Sequence, residues 1–139
     1  MEDEDVAATA WTGDPLTDDE AWELLAGEPV GRLAYHVGGD IDIAPVNHVV
    51  AGRRLMFRTA AGGKLYGVVV GRTVAYEVDR VTGDEARSVV VHGVARLLSD
   101  AETADVDDAG LRSWTEPEKP FLVVVDPVRV TGRRFPLSR

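Results

Sequence analysis

Arg58, Thr59 and Lys64 have the types and spacing to do chemistry, and the chemistry they suggest is anion binding. They stand in LMFRTAAGGKL, residues 55–65. Arginine offers a fork of N–H donors, threonine a hydroxyl and lysine a compact positive charge. Between them, Ala60-Ala61-Gly62-Gly63 is small and permissive enough for a ligand to approach the backbone. Leu65–Val70 reads as the start of a helix, whose first amides would point at an anion. This is a phosphate site in outline. The same residues also read as a solvated basic loop on an acidic protein.

Other polar side chains carry weaker signals. His48 lies in the strand-like run APVNHVV, where it faces either a ligand or the core. His36 and His92 have no spacing that suggests a metal site. Glu77 and Asp79 fall two apart on one strand face and read as salt-bridge partners of Arg or Lys, not as a catalytic pair. Trp114, in the loop SWTEPEKP, is placed either to stack on an aromatic ligand or to pin the loop by burying its ring.

Composition narrows the classes. The 139 residues suggest one domain with a real core, and a net charge of −9 argues against nucleic-acid binding, which needs Lys and Arg to neutralise phosphates. The absence of cysteine excludes disulfides, thiolate metal sites and a cysteine nucleophile. No apolar run is long enough to span a bilayer. The start, MEDEDVAATAW, is acidic where a signal peptide would be basic, so a cytoplasmic protein is expected.

The elements that must position these residues follow from periodicity. Residues 1–14 read as a flexible acidic tail and 15–139 as one domain. Thr17 and Glu20 make a capping box for a helix carrying Trp22, Leu24 and Leu25, stopped by Gly27 and Pro29. Val30–Val37 is a strand, turning at Gly38-Gly39-Asp40 into Ile41–Val50. Pro45 inside that partner predicts an edge or a bulge. A turn at Ala51-Gly52 leads to Arg54–Thr59. Thr73–Val78 and Ala86–Ser99 are further strands, the second kinked at Gly93. Asp100–Gly110 reads as a polar helix or turn. Phe121–Val125 and Val128–Gly132 read as a last pair, or as one strand broken at Asp126-Pro127. The sum is a mainly β chain of about six antiparallel strands, with short hairpin links that favour a small closed barrel.

Taken in order, VGRLAY (30–35), APVNHVV (44–50), LMFRTAAGGKL (55–65), VAYEVD (74–79), SVVVHGVARLL (88–98), SW (113–114) and VTGRRF (130–135) resemble the pyridoxamine 5′-phosphate oxidase-like proteins of the FMN-binding split-barrel superfamily. The resemblance implies a homodimer with cofactor bound at the subunit interface. It implies that Arg58, Thr59 and Lys64 hold the FMN phosphate, and that Pro45, Val46 and Asn47, with His48 beside them, run along the isoalloxazine ring. Ser88 and Trp114 would lie close to the cofactor, often from the partner subunit. The chain departs from the family at Arg87, where relatives often carry Trp. Its ending, TGRRFPLSR, differs from the basic substrate motif of true pyridoxamine-phosphate oxidases, so that substrate is not expected. The function implied is an FMN-dependent oxidoreductase acting on an unidentified small molecule. The alternatives are a deazaflavin-dependent reductase and a flavin- or haem-binding carrier or sensor without turnover.

Overall fold

A computed structural model describes residues 13–59, 69–98 and 121–137. The expected tail up to residue 12, the helix start after Lys64, the polar helix over 100–110 and the loop carrying Trp114 lie outside the described residues. Eight strands and one helix are present among those described, in the order β1 (Asp14–Pro15), α1 (Asp18–Gly27), β2 (Val30–Val37), β3 (Asp40–Asn47), β4 (Val49–Ala51), β5 (Arg54–Thr59), β6 (Thr73–Thr82), β7 (Glu85–Leu97) and β8 (Phe121–Pro136).

The helix begins as its sequence dictates. The Thr17 side chain accepts from the Glu20 amide at 3.1 Å, and the Glu20 carboxylate accepts from the Thr17 amide at 2.9 Å. Asp18, Asp19 and Glu20 put negative charge at the positive end of the helix. Glu20 also accepts from Arg134 of β8 at 2.8 Å, which ties the first turn to the sheet. Ala21, Trp22, Leu24 and Leu25 are buried and form one core with Leu33, Phe57, Tyr76, Val78, Val89, Val91, Val123 and Val125 from five strands. Burying one such aliphatic side chain completely is worth about 1.5–3 kcal/mol, so the helix is held mainly by this face.

The sheet is antiparallel in the order β3-β2-β6-β7-β8-β5-β4, with β1 added on β8. Its end strands, β3 and β4, are consecutive in the chain and separated only by His48. The sheet must therefore curl until its two edges meet at that residue.

The expected mainly β antiparallel fold holds, with eight strands among the described residues. Three sequence expectations need correction. Ile41–Val50 is not one strand: Asp40–Asn47 pairs with β2, and Val49–Ala51 turns away to pair with β5. The tight turn is Gly52-Arg53, one residue later than expected, with both residues at positive φ (60° and 55°). The last segment is neither a pair nor broken. It is one 16-residue strand that absorbs Asp126-Pro127 in a bulge, where Gly93 faces Pro127 and His92 faces Arg129. Val128 is the extra residue and points to solvent. Two other expectations hold. The Gly93 irregularity is present, and Pro45 sits on an edge strand, paired with Arg32 and without a register shift.

Candidate functional site at the seam of the sheet

Two of the four segments expected to touch a cofactor come together where the sheet closes. β3 ends at Asn47, and β5 runs from Arg54 to Thr59. The β4–β5 register pairs Val49 with Met56. β3 ends two residues before Val49, so its Asn47 end approaches the end of β5 beyond Met56, and the two strands are in contact. Arg58 is half-buried and lies opposite Leu122 of β8, at the end of β5 where Thr59 follows. Lys64 and Trp114 lie outside the described residues, as does the side chain of Thr59.

Alternation along β3 separates what this segment can offer. Val46 turns inward and packs on the main core, while Pro45 and Asn47 point the other way. The outer edge of β3 carries no further strand among the described residues. Along it the Ile43 amide is taken by the Asp42 side chain at 2.8 Å, and Pro45, which has no N–H, can only accept.

His48 turns inward, and its ring is buried. Its amide donates to Pro29 O at 3.0 Å. Nε2 donates to Leu25 O, a last-turn carbonyl of α1, at 2.7 Å, and Nδ1 lies 2.5 Å from Tyr76 Oη. The Tyr76 hydroxyl also faces Val46 O at 3.1 Å. The two rings meet edge to face, with centroids 5.0 Å apart. Burial pushes the imidazole below its ordinary pKa, opposed by the Leu25 carbonyl and the Glu28 charge. Burial likewise pushes the Tyr76 phenol above its ordinary range. The side chain of His48 therefore fastens the seam from inside, while its neighbours Pro45 and Asn47 face out. A strand histidine followed by a change of partner strand carries no sequence signal for this role. The signal that was available is Gly31, since a Cβ there would lie 2.4 Å from the Tyr76 ring.

Ser88 stands apart. It lies on β7 opposite Asp79, with β2 and β6 between it and β3. At roughly 4.8 Å per strand this is about 14 Å from the β3 segment within one chain. Its buried hydroxyl donates to Glu77 at 3.0 Å. Glu77 and Asp79 accept from Arg32 at 3.0 and 3.3 Å, the salt bridges expected of that pair. Burial raises the Glu77 pKa, against the Ser88 hydrogen bond that lowers it. No group of three or more His, Asp or Glu side chains able to hold a metal occurs among the described residues, and no helix among them is long and apolar enough to cross a membrane.

An antiparallel sheet curled until its edges meet at a single residue is a split barrel. The sequence pattern of pyridoxamine 5′-phosphate oxidase matches residues 17–134, and the chain belongs to that family. It is 36% identical to the FAD-binding protein of Mycobacterium smegmatis, with a TM-score of 0.83 over 90% of this chain and 100% of that one. An uncharacterized protein of Mycobacterium tuberculosis is 35% identical over 129 residues, 86% of this chain and 84% of its own length. An FAD-binding protein of Mesorhizobium loti, 23% identical with a TM-score of 0.73 over 90% of this chain and 99% of that one, shares the fold.

Proposed function

We propose that this protein binds a flavin at the seam, with Arg58, Thr59 and Lys64 on the phosphate and the Pro45–Asn47 edge along the ring, and acts as an FMN-dependent oxidoreductase on a small molecule. The observation that carries this reading is the meeting of the β3 edge with the Arg58 end of β5, in a chain 36% identical to an FAD-binding protein. The donor set fits the group. A guanidinium fork, a hydroxyl and an ammonium suit a phosphate. A strand edge that carries no further strand among the described residues can lie along the ring's polar rim.

A bound flavin would supply the hydride or electron transfer. The chain's own residues hold and orient. Arg58 neutralises the phosphate, the β3 backbone fixes the ring plane, and Pro45 and Asn47 shape the slot beside it. FAD is the second reading, favoured by what the Mycobacterium smegmatis relative binds. The deazaflavin coenzyme and haem are less well supported by this acidic chain.

A homodimer completes the proposal. The outward face of the sheet carries Ile41 (71% exposed), Ile43 (61%) and Val94 around Ala34 and Ala75, bounded by Arg32 and its carboxylate partners. A second copy on this face would cover that apolar strip and carry its own Ser88 toward the first copy's seam. Replacing Arg58 and Lys64 together by Ala tests the site. FMN affinity is expected to fall at least about a hundredfold, the loss of two charge-assisted hydrogen bonds, with the fold intact. Unchanged affinity would remove the phosphate assignment.

A further inference from the structure

We propose that His48 and Tyr76 form a proton-dependent positioning unit, in which protonation of His48 hands the Tyr76 hydroxyl from the imidazole to the Val46 carbonyl. Its functional consequence rests on the reading that the Pro45–Asn47 segment lines the flavin.

The protons around these few atoms are countable. Leu25 O accepts only, so Nε2 carries a proton in every state, at 2.7 Å. In the neutral ring Nδ1 is then a lone pair, 2.5 Å from Tyr76 Oη. The phenol has one proton and two acceptors, Nδ1 at 2.5 Å and Val46 O at 3.1 Å, while its oxygen also accepts from the Gly31 amide. With a neutral ring the proton must lie toward Nδ1, because otherwise two lone pairs would face each other at that distance. The Val46 carbonyl is then left with the longer, weaker contact.

When the ring takes up one proton from solvent, Nδ1 becomes a donor to Oη, and the hydroxyl proton turns to Val46 O. Nothing else is consumed. The charged state makes one hydrogen bond more than the neutral one, Nδ1–H to Oη beside Oη–H to Val46 O, while burial opposes it. The charged group facing the ring from α1's end is Glu28, which pairs with Arg80 of β6 at 3.0 Å, and β6 itself contributes Tyr76. The hydroxyl cannot drift, because the Tyr76 ring is 1% exposed and packed against Gly31, where no Cβ fits. His48 and Tyr76 are thus positioning residues: their side chains are turned into the core, and they act through the backbone of Val46.

The test is NMR of the full-length, flavin-free protein carrying 15N-histidine and 13C-carbonyl valine, titrated from mildly alkaline to mildly acid pH. The expected result is the Nε2–H tautomer of His48 at neutral pH, and a Val46 carbonyl shift that moves with the His48 midpoint. Tyr76→Phe should abolish the Val46 response while His48 still titrates. An Nδ1–H tautomer, or a Val46 signal indifferent to His48, would overturn the relay; the wild-type spectra decide this even if the variant does not fold. FMN affinity should then change by about two- to tenfold across the same midpoint, the worth of one neutral hydrogen bond, and should be flat in Tyr76→Phe. A flat wild-type affinity would refute the coupling to the site. No FMN binding at any pH would refute the flavin reading and that coupling together, with the relay still judged by the spectra.

Discussion

Gly93→Ala is expected to lower stability by about 2 kcal/mol. A Cβ at Gly93 would lie 2.3 Å from Asp126 O and 2.8 Å from Val125 Cγ1. The first contact is with backbone, so no rotamer change relieves it, and the β7–β8 bulge must open. Overpacking of this kind costs about 1–3 kcal/mol, and a backbone clash belongs at the upper end. The added methyl also restricts the unfolded chain, which offsets roughly 0.4–1 kcal/mol. At this chain length each kcal/mol moves Tm by roughly 3–4 °C, so a fall of about 6–8 °C is expected. Differential scanning calorimetry reads it directly. Gly39→Ala is the control: nothing lies within 4 Å of a Cβ there, and its φ is not in the left-handed region, so Tm should hold or rise slightly. A Gly93→Ala variant as stable as the control would refute the view that glycine is required by the close approach of β8.

Other outcomes follow from the same structure. Thr17→Ala removes the N-cap half of the capping box and should cost about 1 kcal/mol, read from the urea midpoint. Gly31→Ala must displace the buried Tyr76 ring, costing about 1–3 kcal/mol and altering the His48 ring shifts. Because burial lowers the folded-state pKa of His48 below 6.5, the unfolded chain takes up the proton first on acidification. The His48 contribution is therefore complete above pH 6.5 and is lost as pH falls from there through the folded value. A His48→Gln variant should show a flatter pH–stability curve in that window, and an unchanged curve would contradict it. Sedimentation well above any plausible dissociation constant should find a dimer; a monomer would sink the interface site.

Local signals in the sequence were reliable where the physics is local. The capping box, the hairpin turning at Gly38-Gly39, the edge position of Pro45 and the irregularity at Gly93 each depend on one or two residues and their backbone. The crossing at His48 was not legible. Ile41–Asn47 and Val49–Val50 both look like strand, and the change of partner is decided by a ring bonded to Leu25 and Tyr76, distant in sequence. The turn was misplaced because Arg53 takes a left-handed φ that its side chain does not advertise. Asp126-Pro127 looked like a break because the residue that accommodates it, Gly93, sits on the neighbouring strand. At the site, the residue types of Arg58 and the Pro45–Asn47 run were readable, but their meeting depends on closure of the whole sheet.

The most direct measurement is a titration of the purified, cofactor-stripped protein with FMN, followed by flavin absorbance and fluorescence, with FAD, the deazaflavin coenzyme and haem in parallel. Saturable flavin binding at one per chain, lost when Arg58 and Lys64 are both replaced, is the predicted result. Failure of every flavin to bind, in protein shown by circular dichroism to be folded, would contradict a flavin site at the seam.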